Sequence, residues 1–396
     1  MTKPLSGIRI ADFTVHAAGP FCTHLLAQLG AECIKIESTQ RPDIFRKPHA
    51  LYGRLEPSKF DQVSSGKLSV RLNLKHPQGV ELARSLVSLS DVAVENFRAG
   101  VMARLGLGWH DLLQVKSDLV MVSVSSCGQI SPDSAFSGYA PLFGAWGGLG
   151  TMSGYQDGPP LEMRHVLDHA AGLQGMLAVL AGLQGRASTG CGGYYDVAAR
   201  DIACASIGEF LLEAASGSDP VRWGNAHPGM APHGVYPVKG QDRWLTIAVR
   251  SDDEWRALCD VMDRHDLVND PRFATAQARL ANRVAADHVV AAWTVHQDSA
   301  LATRSLQAAG IAAHESWSAQ DIAMDPHLRA RGTIVDFNSP DGQRAVVQSP
   351  IGLSESDTGV EHGMPELGGH EDYVFGTLLN LSRSERTELE EAGAIC

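Results

Sequence analysis

The sequence predicts an α/β protein, and three observations carry that reading. Short apolar strands alternate with helical segments through Val124, Gly7–Glu37 reads as a single βαβ unit, and a long, almost wholly apolar helix follows Asp168. The chain of 396 residues, 44% apolar, has enough material for two or more core-forming units. Its 33 basic and 45 acidic residues give a net charge of −12 with the basic residues scattered, which excludes a nucleic-acid or anionic-membrane footprint. Seven cysteines (22, 33, 127, 191, 204, 259 and 396), an odd number without a Cys-x-x-Cys pair, and an N-terminus without an apolar signal core point to a reduced cytoplasm. A membrane span is not expected, because glycine, glutamine and histidine interrupt the one long apolar run before it reaches roughly 18 residues.

Taken in order, Gly7-Ile-Arg-Ile-Ala-Asp-Phe13 reads as a strand, Gly19-Pro20 opens a helix through Leu29, Gly30 stops it, and Cys33–Glu37 forms the next strand. The turn Thr14-Val-His-Ala-Ala-Gly-Pro20 lacks Gly-x-Gly-x-x-Gly spacing, so a dinucleotide site is rejected. Leu68–Leu74 alternates as a half-buried strand, and Lys75-His-Pro-Gln-Gly79 leads into a helix ending near Leu89. Val92–Phe97 and Leu119–Val124 are short strands, separated by helical Val101–Leu105 and Trp109–Val115. Tyr194–Ala198 is a strand followed by a helix from Asp201 to about Ala215, and Gly217-Ser-Asp-Pro220 marks a linker.

Within the stretch Gly158–Gly185, Gly172, Gly175, Ala178 and Gly182 recur at three- and four-residue steps, which lets another backbone approach one face of a buried helix. Asp168 stands at the helix start. There it is expected to cap unpaired N–H groups, feel the positive end of the helix dipole and stay ionised. His165 and His169 flank it, but two histidines without further ligands do not make a metal site. Cys127, in Ser125-Ser-Cys-Gly128, lacks the spacing of a nucleophile elbow and reads as a buried or turn cysteine.

Five segments together resemble the class III CoA-transferase (CaiB–BaiF) family. They are Leu5–Thr14 with Ala18-Gly-Pro20, Leu29–Glu37, Val94-Glu-Asn-Phe-Arg-Ala-Gly100 with Arg104-Leu-Gly106, Asp157-Gly-Pro-Pro160 with Asp168, and Leu367-Gly-Gly-His370. The resemblance implies a Rossmann-like large domain built from N- and C-terminal segments, a smaller inserted α+β domain and an interlocked dimer. The expected parts are residues 1–216, a linker and small domain over 217–330, and a return over 331–396. It implies no permanently bound cofactor, with coenzyme A arriving as part of the substrates, an acyl-CoA and a small carboxylic acid.

By the same resemblance Asp168 is the nucleophile, forming an anhydride and then an aspartyl-CoA thioester. CoA is expected to lie against Val15, Ala17, Ser38, Leu72, Lys75, Asn96, Phe97, Arg104, Leu105, Ser137 and Tyr139, with Lys75 and Arg104 as the natural phosphate partners. Ser38 and Ser137 stand where formyl-CoA transferase has basic residues, and Ala17 replaces an active-site glutamine. The glycine-rich active-site loop of that enzyme has no counterpart here, and Gly224–Gly234 reads either as a border of the acceptor pocket or as an ordinary linker. An α-methylacyl-CoA racemase is the runner-up, disfavoured because Ser137-Gly-Tyr-Ala-Pro-Leu142 replaces the family's histidine segment. The third reading is a catalytically silent CoA-binding subunit of a heteromer, which the presence of Asp168 opposes. Resemblance of His227–Pro237 to subunits of benzylsuccinate-type CoA-transferases keeps a heteromer beside the homodimer.

Overall fold

The computed structural model describes residues 2–46, 58–163, 166–339 and 342–396. Its largest sheet has six parallel strands: β1 (Arg9–Asp12), β2 (Glu32–Glu37), β3 (Leu68–Arg71), β4 (Val92–Glu95), β5 (Val120–Ser125) and β6 (Gly193–Ala198), in the order β3-β2-β1-β4-β5-β6. This is the doubly wound order, with the switch point between β1 and β4. Every strand read from the first 200 residues is present, with ends moved by a few residues.

Successive residues of a strand face opposite ways, and here both faces are apolar. Ile10, Cys33, Val92, Val94, Val120 and Val122 pack on one side under α1 (Ala18–Gln28) and the long helix Val166–Thr189, here α2. Ala11, Ile34, Ile36, Val70, Ala93 and Met121 pack on the other, under Pro77–Ser88 and the C-terminal residues Val374, Phe375 and Ile395. The C-terminus returns to the β3 edge through Ser69 N–H to His370 Nδ1 (3.2 Å), an Arg71–Glu371 ion pair (2.7 Å) and Asn73 N–H to the Ala394 carbonyl (2.8 Å).

The chain forms two compact units. One takes the chain up to Leu149, Glu162–Gly208 and Asp325–Cys396; the other takes Gly150–Leu161 and Glu209–Met324. The break falls near residue 208 because the helix expected over Asp201–Ala215 is two helices, Ala199–Ala205 and Gly208–Ala215. Between them the Ser206 hydroxyl turns back to the Ile202 carbonyl (2.8 Å), which competes with continuing the helix. The second unit is α+β: an antiparallel sheet of His233–Pro237, Trp244–Ala248 and Ala312–Glu315, with Leu245, Ile247, Trp255, Leu258, Phe273, Val290 and Leu306 in its core.

The glycine face of α2 does what its spacing predicts. A Cβ on Gly172 would lie 2.7 Å from the Ala18 carbonyl oxygen, one on Gly175 3.1 Å from Cys22 Sγ, and one on Gly182 2.6 Å from Val120 Cγ1. Two expectations need correction. The helix is only half buried, with Leu173 and Leu177 44% and 52% exposed. By length and a mean hydropathy of 1.4 it would also suffice to cross a membrane, since glycine lowers hydropathy too little to interrupt the run. In this fold it is the core helix lying on the sheet.

Gly172→Ala is expected to lower stability by about 1–3 kcal/mol, because the Ala18 main chain has no room to retreat. Gly185→Ala, in the same helix with nothing within 4 Å of its new methyl, should raise stability by about 0.5–1 kcal/mol. Urea unfolding of both variants measures the contrast.

Candidate active site

Asp168 is the third residue of α2, inside its first turn, where four N–H groups have no intrahelical acceptor. The expected capping role is not what the structure shows: the helix begins two residues earlier, and no hydrogen bond to the Asp168 carboxylate is found among the described residues. Burial is the largest influence on that carboxyl and raises its pKa above the ordinary aspartate value; His169 and His16 pull it the other way. Desolvation thus works against the ionisation that the helix dipole favours. The His169 ring stands edge-on to Phe21 on α1, with centroids 4.4 Å apart. His165, its expected neighbour on the other side, lies outside the described residues.

The wall opposite Asp168 is the loop from β1 to α1. His16 sits there with φ +65°, the left-handed region that costs a non-glycine residue about 1–3 kcal/mol unless its surroundings impose it. They do so through main-chain clamps. The Val15 N–H donates to Asn96 Oδ1 (2.8 Å), Asn96 Nδ2 returns a bond to the Val15 carbonyl (2.8 Å), and the His16 N–H donates to Asp43 Oδ2 (3.1 Å).

Beneath the loop lies a set of wholly buried charges. Lys67 Nζ reaches Asp12 Oδ2 (3.0 Å), Thr23 Oγ1 (2.7 Å) and the Pro20 carbonyl (2.9 Å). Lys35 Nζ donates to the Thr14 carbonyl (2.7 Å) and pairs with Asp43 (3.4 Å). Burial alone would raise the Asp12 carboxyl; Lys67, Lys35 and the hydroxyls of Thr14 and Thr23 bring it below the usual aspartate value instead.

The residues expected to meet CoA share the carboxyl edge of the parallel sheet. Val15 and Ala17 follow β1, Ser38 follows β2, Leu72 and Lys75 follow β3, and Asn96 and Phe97 follow β4. Arg104 and Leu105 end the short helix Val101–Arg104, and Ser137 and Tyr139 precede Ala140–Gly147. Asn96 and Val15 are in direct contact. Lys75, Arg104, Ser137 and Tyr139 are exposed, Asn96 and Phe97 half-buried. Leu72 differs: its side chain is core, so it can offer a ligand only main chain.

Ser38 instead faces Cys396 across 3.6 Å, a contact between distant parts of the chain. Cys127 is buried, and burial pushes its thiol pKa up, as suits an inert cysteine. Two cavities lie elsewhere: one of about 400 Å³ includes Thr333, Gln348 and Val360, and one of about 610 Å³ in the second unit includes Tyr155, Arg222, Trp223 and Arg283. Asp168 lines neither.

Among the described residues no hydrogen bond reaches the Asp168 carboxylate, and comparison with known proteins shows the family. A family model described as CoA-transferase family III matches residues 5–371. The chain belongs to CoA-transferase family III. It is 31% identical to the succinyl-CoA–D-citramalate CoA-transferase of Chloroflexus aurantiacus, over 98% of this chain and 97% of that one. It is 30% identical to the succinate–glutarate CoA-transferase of Agrobacterium fabrum, over 96% and 97%. A crystal structure of a CaiB/BaiF family protein from Brucella suis superposes with a TM-score of 0.87 and 29% identity, covering 96% of this chain and all of that one. The protein is thus a CoA-transferase.

His16, Lys35, Asp43 and Lys67 were not singled out from the sequence. Lys35, a lysine between isoleucines in the strand Cys33–Glu37, is the one that carried a signal, since a cation in a buried parallel strand must find a partner. Removing the partner of Asp12 by Lys67→Met should cost about 3–5 kcal/mol, and adding Asp12→Leu should recover most of it. Guanidinium unfolding of the single and double variants checks both values; a cost unrelieved in the double variant would contradict the pairing.

Proposed function

We propose that this CoA-transferase moves CoA from an acyl-CoA donor to a carboxylic acid through covalent intermediates on Asp168. The observation that carries the reading is the half-buried Asp168 carboxylate, which no hydrogen bond satisfies among the described residues and whose pKa burial raises. A carboxylate with spare lone pairs and raised basicity is a better nucleophile than one tied down as a cap.

One Asp168 oxygen attacks the thioester carbonyl; the C–S bond breaks, CoA leaves as thiolate, and a mixed anhydride remains. The thiolate attacks the aspartyl carbonyl, releasing the donor acid and forming the aspartyl-CoA thioester. The acceptor carboxylate then displaces thiolate to give a second anhydride. Thiolate attack on its acyl carbon releases the product and restores the carboxylate. No high-energy bond is lost at any step provided water is kept out. The CoA nucleotide is assigned to the loops after β1–β4, with Lys75 and Arg104 on its phosphates and Phe97 against adenine. Succinyl-CoA is the donor to try first, being the donor in the name of the Chloroflexus relative. A dimer is part of the proposal, supported by the exposed leucines 173 and 177 on α2.

Intact-mass spectrometry after mixing with a panel of acyl-CoAs should show a CoA-sized gain that hydroxylamine removes and Asp168→Ala abolishes, with transfer falling on the order of 10⁴–10⁶-fold. Solvent deuterium entering the α-carbon of a branched acyl-CoA, without an adduct, would instead indicate a racemase. The attacking form is the carboxylate, so adduct formation should rise with pH, with its acid limb displaced above the ordinary aspartate range. A pre-steady-state series from pH 4 to 8 checks that direction.

A further inference from the structure

Glu95, the last residue of β4, is a buried carboxylate for which the chemistry above has no use. Its Oε2 accepts the Phe97 N–H (2.7 Å) and its Oε1 accepts Gln129 Nε2 (3.3 Å). Gln129 in turn uses its Oε1 to accept the Gly100 N–H (3.2 Å), and its own N–H is fixed by Asp196 Oδ2 (2.7 Å). From β5, Ser123 stands opposite Glu95 in the strand register, and its hydroxyl, which accepts from the Tyr194 hydroxyl of β6 (3.1 Å), favours the charged form of Glu95; the Tyr194 ring stacks on Trp109. The turn 96–100 therefore hangs on one carboxylate, directly at Phe97 and through one amide at Gly100.

Gly100 is a sensitive point. It has φ +73°, caps the helix Val101–Arg104, and its carbonyl accepts the Arg104 N–H (3.1 Å), so its placement sets where Arg104 begins. Asn96, at the other end of the turn, clamps Val15.

The Gln129 amide has one orientation that serves both neighbours while Glu95 is ionised: NH₂ toward the carboxylate, carbonyl toward Gly100. A proton on Glu95 Oε1 needs an acceptor, and Gln129 can supply one only by rotating its carbonyl away from Gly100. Its NH₂ would then oppose the Gly100 N–H, donor against donor. A proton on Oε2 instead loses the Phe97 bond.

We propose that Glu95 is a positioning residue for CoA: ionised, it holds the turn 96–100 through Phe97 and Gln129 in the form that binds the nucleotide, and protonation releases it. This rests on the assignment of the CoA nucleotide to Asn96, Phe97 and Arg104. The switch falls in a useful range, because burial, and secondarily the neighbouring Asp196, raises the Glu95 carboxyl to about 7, against the opposing pull of Ser123 and the Phe97 N–H. Asp196 is the one charged side chain acting on it among the described residues.

The test is calorimetric titration of CoA into the intact protein at pH 6 and pH 8. Loss of one such hydrogen bond corresponds to about a two- to tenfold weaker Kd at pH 6 for the wild type. Glu95→Gln, neutral at every pH, should bind at pH 8 as weakly as the wild type does at pH 6. Its ratio to the wild type cancels the titration of the CoA phosphates themselves. Gln129→Leu removes the relay without touching the carboxylate and should also weaken binding at pH 8 and shrink the pH dependence, while melting near the wild-type temperature. Parallel pH profiles for wild type and Glu95→Gln would overturn the proposal while leaving CoA binding intact. Absence of CoA binding by the wild type would overturn the nucleotide assignment and this proposal with it.

Discussion

The carboxyl edge of the parallel sheet depends on how closely α2 can lie on α1. The Gly172 Cα faces the Ala18 carbonyl at a separation that excludes even a methyl group, and Gly175 and Gly182 continue the contact along Cys22 and the β5 valines. This approach puts the first turn of α2 beside the loop that precedes α1. A side chain at either glycine would prise the two helix starts apart, and with them Asp168 from the wall that carries His16 and Ala17. Packing sets the position of the Asp168 carboxylate, for which no hydrogen bond is found among the described residues.

That loop is held from below by charges that have left water altogether. Burying Asp12, Lys35, Asp43 and Lys67 costs several kcal/mol per ion unless each finds partners, and the network returns that cost only in one arrangement. The arrangement includes the Thr14 carbonyl, both threonine hydroxyls and the His16 N–H, so a left-handed residue is imposed rather than tolerated. The β4 end follows the same logic on a smaller scale, with Glu95 rather than an ion pair fixing the turn. In both places a buried carboxylate governs an exposed loop through main-chain N–H groups. Lys75 and Arg104 are exposed to solvent at this edge.

Asp168 shows how two physical effects compete. A helix start stabilises a negative charge by about 0.3–1 kcal/mol when exposed, whereas partial burial works against it. In the structure burial raises the Asp168 pKa against the pull of His169 and His16, leaving an aspartate that is harder to ionise than an exposed one.

The α/β class, the strands through β6 and the glycine face of α2 were all legible in the sequence. Each is a local pattern: alternation or a 3.6-residue period. The family motifs likewise placed Val15, Asn96 and Phe97 on neighbouring loops, where the first two touch. What stayed hidden depends on partners far apart in the chain. Whether Asp168 is capped depends on where α2 begins, Leu72 is core because the C-terminal segment and the sheet enclose it, and Glu95 matters only because Gln129 and Ser123 arrive from another strand and its loop. Ionisation and backbone strain are fixed by surroundings, and surroundings exist only once the sheet has brought β1, β4, β5 and β6 side by side.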